Sequence, residues 1–231
     1  MPTDEDRARA RQLAAQAVAE GDATGWFEKL YGEAEAGVSV VPWADGEVNP
    51  HLVKWAAERS GGRTNGGGFG GGQRALVVGC GLGYDAEFLA GLGFEVTAFD
   101  VAPTAIAAAK RAYPGSTVNY VTADLLDLPD SWAGAFDLVA EIYTVQPLFG
   151  PARSAALAAL HVPVAPGGTL LVISRATNEE NPDRNPSMMP WPLTRRELKL
   201  AGGPLRAHTI KQFLDDEDPP KLRWQAEFRR D

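Results

Sequence analysis

The stretch from Arg74 to Asp100, RALVVGCGLGYDAEFLAGLGFEVTAFD, restricts the possible folds of this chain more than any other. Ala75-Leu76-Val77-Val78 is a short apolar run of the kind buried in a parallel sheet. Gly79-Cys80-Gly81-Leu82-Gly83 follows at once, and glycines there permit positive φ and let a ligand lie against bare backbone. Ala86, Leu89, Ala90 and Leu92 then recur at helical spacing until Gly93. Phe94 to Phe99 predicts a second strand, ending on Asp100. The unit is strand, glycine loop, helix, strand, with a carboxylate at the tip about 20 residues after the first glycine. In nucleotide-binding α/β folds an acid so placed takes the ribose hydroxyls. A carboxylate suits a vicinal diol because it accepts both O–H donors.

The glycine spacing bears on which nucleotide is meant. A dinucleotide site needs G-x-G-x-x-G, whose third glycine lets the helix approach the strand. Here Tyr84 holds that sixth position and Gly83 comes one place early. A tyrosine at the helix start would crowd a pyrophosphate.

The rest of the chain extends the pattern. Thr3 to Glu20 is Ala-rich and predicts a helix stopped by Gly21, with a second over Thr24 to Tyr31 and a third over Pro50 to Arg59. Val38 to Asn49 is irregular. Gly61 to Gln73, GGRTNGGGFGGGQ, is a flexible linker by composition. After Asp100 we expect a helix over Ala105 to Ala112 with Pro103 near its first turn, and strands over Val118 to Val121 and Phe136 to Tyr143. A helix over Pro151 to His161 and a turn at Ala165-Pro166-Gly167-Gly168 lead to a strand over Thr169 to Ser174. Two last strands are expected over Leu205 to Phe213 and Lys221 to Arg229. This alternation predicts a doubly wound, Rossmann-like, mostly parallel seven-stranded sheet. It divides the chain into an N-terminal helical lid (1–60), the Gly-rich linker (61–73) and a cofactor-binding core (74–231), all in one compact domain.

Composition removes several function classes. The net charge is −8, which offers no surface for nucleic acid or anionic membrane. No run reaches the length of a membrane span, and the acidic start lacks the apolar segment of a leader. A single cysteine, Cys80, excludes an internal disulfide and fits a reducing cytoplasm. No Cys/His spacing suggests zinc, and no compact Asp-Asn pair follows Ser174 to hold a hard cation, so no metal is expected.

Gly79-x-Gly81-x-Gly83, Asp100, Asp124-Leu125, Phe136-Asp137 and Ala165-Pro166-Gly167-Gly168, in this order, resemble the motifs of the class I S-adenosylmethionine-dependent methyltransferases. Val41-Pro42-Trp43-Ala44-Asp45-Gly46 with Asn49-Pro50 adds a narrower likeness, to the N-terminal region of the thiopurine and halide/thiol methyltransferase group. The resemblance implies S-adenosylmethionine as cofactor and S-adenosylhomocysteine as product. It implies that Asp100 and the neighbouring Val101 hold the ribose, that Asp124 and the Leu125 amide hold the adenine edge, and that Gly79, Cys80, Gly81 and Gly83 pack against the methionine portion. Many such enzymes carry an acid two places before the first glycine. Here that place is Val77, which leaves Asp85 or Glu141 to meet the cofactor's ammonium. Asp85 has the alternative of complementing the helix dipole.

Glu141 and Tyr143, at the C-terminal end of the fourth strand, are the expected catalytic residues, because ligands collect at that edge of a parallel sheet. Trp26, Tyr31, Pro42 and Trp43 are candidates for a lid, with Trp43 as the cofactor contact and Trp26 and Tyr31, together with Tyr143, as candidates for the substrate side. Asn178 to Pro192, NEENPDRNPSMMPWP, is long enough to be a substrate-facing cap, with Met188, Met189 and Trp191 as its apolar wall. Each of these aromatic and Met side chains has the alternative of plain core packing. The expected reaction is methyl transfer to a small molecule, preferably a soft nucleophile such as a thiol, selenide or halide. Transfer to O or N, a nicotinamide-dependent oxidoreductase and a cofactor-binding protein without turnover stay open as alternatives.

Overall fold

The computed structural model describes residues 3–61 and 68–231. Residues 62–67, the middle of the expected linker, lie outside the described residues. The end of that linker is an ordered turn: the Gly70 and Gly72 amides donate to the Leu92 and Gly93 carbonyls at 2.8 and 2.9 Å. A Cβ on Gly70 would collide with the Phe94 backbone, so glycine is needed there for close approach rather than for freedom.

Three helices come first: α1 (Asp4–Glu20), α2 (Gly25–Glu35) and α3 (Pro50–Ser60). Thr3 and Asp6 form a capping box at the start of α1, and Gly21 closes it in the left-handed conformation. Asn49 caps α3 by accepting from the His51 and Leu52 amides. The alternating region follows as β1 (Arg74–Val78), α4 (Tyr84–Gly91), β2 (Glu95–Asp100), α5 (Pro103–Ala112), β3 (Asn119–Thr122), β4 (Phe136–Ile142), α6 (Gly150–Ala159) and β5 (Val164–Arg175). The chain ends with α7 (Arg195–Gly202), β6 (Arg206–Leu214) and β7 (Leu222–Arg229).

The seven strands form one sheet in the order β3-β2-β1-β4-β5-β7-β6. β1 to β5 run parallel, while β7 pairs antiparallel with β5 and β6. The strand order reverses between β1 and β4, and ligands of doubly wound sheets gather at the C-terminal edge of such a switch point. One face buries Leu76, Val78, Val139, Leu170 and Val172 against α6 and α7. The other buries Val77, Ala98, Leu138 and Ile173 against α3, α4 and α5. A third cluster joins α1 and α2 to the start of α5 and to Met189 and Trp191.

Two elements differ from expectation. β5 begins at Val164 and runs through the expected 165–168 turn, with a register shift opposite Phe136 and Leu138. Gly168 makes this possible, because the Ala165 and Phe136 carbonyls occupy the space of a Cβ. α7 falls where no helix is expected, and its signal is Thr194-Arg195-Arg196-Glu197, a capping box with both reciprocal hydrogen bonds formed.

Candidate cofactor and acceptor site

The loop after β1 is held from three sides. The Cys80 amide donates to the Phe99 carbonyl at 2.8 Å, which docks the loop on β2. Asp100 accepts from the Gly81 amide with Oδ2 at 2.9 Å and from the Ala102 amide with Oδ1 at 3.0 Å. Gly79 has φ 58°, and the Thr144 side chain fills the place of its Cβ while the Thr144 hydroxyl donates to the Val78 carbonyl at 2.8 Å. Gly83 caps α4 at φ 93° beneath the Tyr120 hydroxyl. Burial raises the Asp100 carboxyl above its ordinary range, against the pull of the amides it accepts from. Burial also pushes the Cys80 thiol well up, so it is no nucleophile at neutral pH.

α2 lies over this loop. The Tyr31 hydroxyl approaches Gly81 and accepts from the Trp43 indole N–H at 3.0 Å. Trp43 stays 40% exposed and meets Trp26, Phe27 and Tyr31 edge to face. Trp26 and Tyr31 are buried in the third cluster, and Val101 is partly exposed beside Asp100. Glu28 accepts from the amide and hydroxyl of Thr104, and Arg111 pairs with Glu35 at 2.6 Å. These bonds fasten α2 to α5, the helix that leaves Asp100. Asp124 stands at the end of β3, where its carboxylate accepts from the Leu126 amide at 2.8 Å, and Leu125 is buried.

At the end of β4 the two expected catalytic residues have different surroundings. Glu141 is fully buried, and its Oε1 accepts from the Thr144 and Val145 amides at 2.8 and 3.1 Å. Its Oε2 is buried without a hydrogen-bond partner among the described residues. Burial pushes this carboxyl up to about 7. Tyr143 is the one non-glycine residue at positive φ among the described residues, at 61°, a conformation imposed by the turn that Glu141 caps. The Arg223 guanidinium lies 5.1 Å from its ring centroid. Burial raises the Tyr143 phenol, against the opposing pull of the Arg223 charge and the Asn49 side chain. Asp85 lies between α4 and α3, accepts from the Asn49 amide at 2.8 Å and is pushed up to about 6 by burial.

The 178–192 segment divides in an unexpected way. Met188 is 60% exposed, whereas Met189 and Trp191 are buried against α1 and α2. The Trp191 indole N–H donates to the Asn185 carbonyl at 3.0 Å, and Arg11 on α1 donates to the Met189 carbonyl. The apolar part of this segment therefore secures the N-terminal helices to the edge of the sheet. Arg153 organises the neighbouring turns from within: it donates to the Val145, Gln146, Leu148, Trp191 and Pro192 carbonyls and pairs with Glu197 at 2.6 Å. A single arginine in an Ala-rich helix gives no advance sign of this. Among the described residues no cluster of three or more His, Cys, Asp or Glu is placed to hold a metal, and no helix is long and apolar enough to cross a membrane.

Residues 75–168 match the family model described as "Methyltransferase domain". A ubiquinone biosynthesis O-methyltransferase of Pseudomonas aeruginosa is 27% identical over 170 residues, 73% of this chain and 66% of that protein. The enzyme of the same description from Xanthomonas axonopodis is 35% identical over 103 residues, 44% of this chain and 42% of that protein. This chain thus spans just under two thirds of the length of the first of these relatives. Among solved structures, one described as the conversion of a disulfide bond into a thioacetal group during echinomycin biosynthesis has a TM-score of 0.66 at 25% identity, covering 89% of this chain and 93% of that one. The N-methyltransferase NodS of Bradyrhizobium japonicum, solved with S-adenosylhomocysteine, has a TM-score of 0.59 at 22% identity, covering 82% of this chain and 91% of that one. The glycine loop and the acid ending β2 lie within the matched residues 75–168, which are similar to a methyltransferase domain, and the seven-stranded, mostly parallel sheet is that of the class I methyltransferase fold.

Proposed function

We propose that the chain transfers a methyl group from S-adenosylmethionine to a small-molecule acceptor whose nucleophile is soft: a thiol, selenide or halide. When bound, the cofactor supplies an electrophilic sulfonium methyl. Asp100 has lone pairs left for the ribose hydroxyls after accepting two amides. Val101 lies beside it, Asp124 and the Leu125 amide meet the adenine edge, and the Gly79–Gly83 loop lies along the methionine portion. Asp85 and the buried oxygen of Glu141 are the two carboxylate candidates for the ammonium. In this reading residues 1–60 act as a lid, with Trp43 and Tyr31 against the cofactor and Trp26 behind them. Tyr143 faces the acceptor, Trp191 braces the wall of that side, and the exposed Met188 borders its mouth.

The state of the groups at the end of β4 carries the preference for a soft nucleophile. Glu141 is enclosed and bonded to its own turn, and burial keeps the Tyr143 phenol protonated at neutral pH. Neither is an open base, so the acceptor must ionise by itself. A thiol does so to a useful extent near pH 8 and a halide needs no deprotonation, whereas a phenol needs a positioned base. Displacement from a sulfonium disperses charge, so orientation in a dry site does most of the work. Sulfur chemistry in the description of the echinomycin structure points the same way. The ubiquinone biosynthesis O-methyltransferase relatives favour a second reading, transfer to an oxygen, for which phenols are the probes used below. Asp100, Asp124 and the Gly79–Gly83 loop serve the cofactor in the same way in either case. A single cysteine agrees with a reducing cytoplasm.

Methyl-labelled cofactor offered with small thiols, selenide, iodide and phenols separates the two readings. We expect thiol turnover to rise with pH along the ionisation of the acceptor thiol itself. Turnover of phenols alone, with a pH dependence belonging to the protein, contradicts the soft-nucleophile reading.

A further inference from the structure

We infer that the acceptor carries a carboxylate and that Arg175 receives it, an inference that rests on the methyltransferase reading above. Arg175 is the last residue of β5. Ile173 pairs with Ile142 on β4, so Arg175 stands beside the turn Tyr143-Thr144-Val145-Gln146 at the C-terminal edge. Its own amide donates to Gln146 Oε1 at 2.7 Å, which anchors the backbone there. On its other side it pairs with Arg223 of β7.

The two guanidiniums have opposite circumstances. Arg223 pairs with Asp215 at 2.5 Å and also with Glu217, and rests over Tyr143. Arg175 reaches only the Pro190 carbonyl, at 3.4 Å, and among the described residues no carboxylate lies within ion-pair distance of it. Burial disfavours its charged form and the Arg223 charge adds to that effect, while Glu217 and Asp215, paired with Arg223 and beyond ion-pair distance of Arg175, offset only part of it. A partly buried cation with no carboxylate of its own is costly to hold. A carboxylate removes that cost, since the planar fork of arginine matches it with two parallel hydrogen bonds. The protonated Tyr143 phenol stands in the adjacent turn after β4 as a further donor.

Neighbouring strands lie about 4.8 Å apart, so an acceptor held at Arg175 reaches the β4–β1 switch point only if its nucleophile is roughly 5–10 Å from its carboxylate. A small mercapto acid meets both conditions. The thiolate pair forms the new carbon–sulfur bond as the methyl–sulfonium bond breaks, with that bond's electrons going to the departing thioether and the thiol proton to solvent.

The test compares 6-mercaptohexanoate, whose extended chain sets the sulfur roughly 8 Å from the carboxylate, with its neutral amide as acceptors for the wild type, Arg175→Gln and Arg175→Lys. Calorimetric binding of S-adenosylhomocysteine reports on folding and on the cofactor reading. We expect the wild type to prefer the acid, and Arg175→Gln to raise KM for the acid by about 10- to 100-fold while affecting the amide far less. Lysine should restore part of the loss. Equal use of acid and amide by the wild type, or equal losses for both in Arg175→Gln, overturns the inference. Should neither be methylated, binding of 6-mercaptohexanoate to the S-adenosylhomocysteine complex decides it: loss of that binding in Arg175→Gln supports the role, and unchanged binding overturns it. If S-adenosylhomocysteine itself fails to bind the wild type, the cofactor reading fails, and binding of the acid to the free protein judges Arg175 by the same comparison.

Discussion

Glu141 gives the fold a pH dependence that can be worked out from its surroundings. Its carboxyl titrates at about 7 in the folded chain, against an ordinary 4.5. Between those values the folded form keeps a proton that the unfolded form has released. The stability from this group is full below pH 4.5 and is lost as pH rises through 7. Asp85, raised to about 6 from 3.8, acts in the same direction. Glu141→Gln keeps an acceptor for the Thr144 and Val145 amides and places a neutral amide where Oε2 has no partner. Denaturant unfolding at pH 5 and pH 8 should show the variant gaining roughly 2–3 kcal/mol on the wild type between the two. A difference that does not change with pH would mean that Glu141 is ionised in the folded chain.

Among elements, the N-terminal helices, proposed above as a lid, have the most direct functional consequence. α1 and α2 are tied to each other by Arg9 and Glu33, to α5 by Glu28 and Glu35, and to the post-β5 segment by Arg11. Trp43 is the part of this assembly that meets both the solvent and the Tyr31 hydroxyl above Gly81. Trp43→Ala should therefore speed release of S-adenosylhomocysteine about tenfold in stopped-flow displacement, with little change in melting temperature, since the residue is largely outside the core. An unchanged release rate would place Trp43 outside the cofactor's path. Which aromatics cover the cleft and which fill the core is not legible in the sequence, because Trp26, Tyr31, Trp43, Met189 and Trp191 share the same residue chemistry and differ only in tertiary placement. α7 was missed although Thr194 and Glu197, three apart, carry its capping box. Arg153 and Arg175 were not legible, because their significance lies in which carbonyls and carboxylates the fold brings to them.

At the scale of the molecule, the alternation of strand and helix specifies the parallel sheet, and the positions of β1 to β4 follow from apolar runs bounded by glycine and acid. Their order follows from right-handed crossovers, which leave the β1–β4 boundary as the switch point. The bulged start of β5 escaped this logic because Ala165-Pro166-Gly167-Gly168 has the composition of a turn, yet closes onto Phe136 as part of a strand. The glycine loop and the terminal acid, on which the proposed cofactor site rests, were the most legible part, since they are local features of one β-α-β unit. The proposed acceptor side draws on β4, β5, β7 and α3, and no single stretch carries its pattern. The central claim is that Asp100 ends β2 as the ribose ligand of an S-adenosylmethionine site. Calorimetric titration with S-adenosylhomocysteine and, separately, NADH on the wild type and Asp100→Ala tests it. Micromolar binding of S-adenosylhomocysteine alone, weakened about 100-fold or more in Asp100→Ala, is the result expected for loss of a carboxylate that holds two hydroxyls. Binding of NADH in its place, or affinity for S-adenosylhomocysteine that survives removal of Asp100, would contradict it.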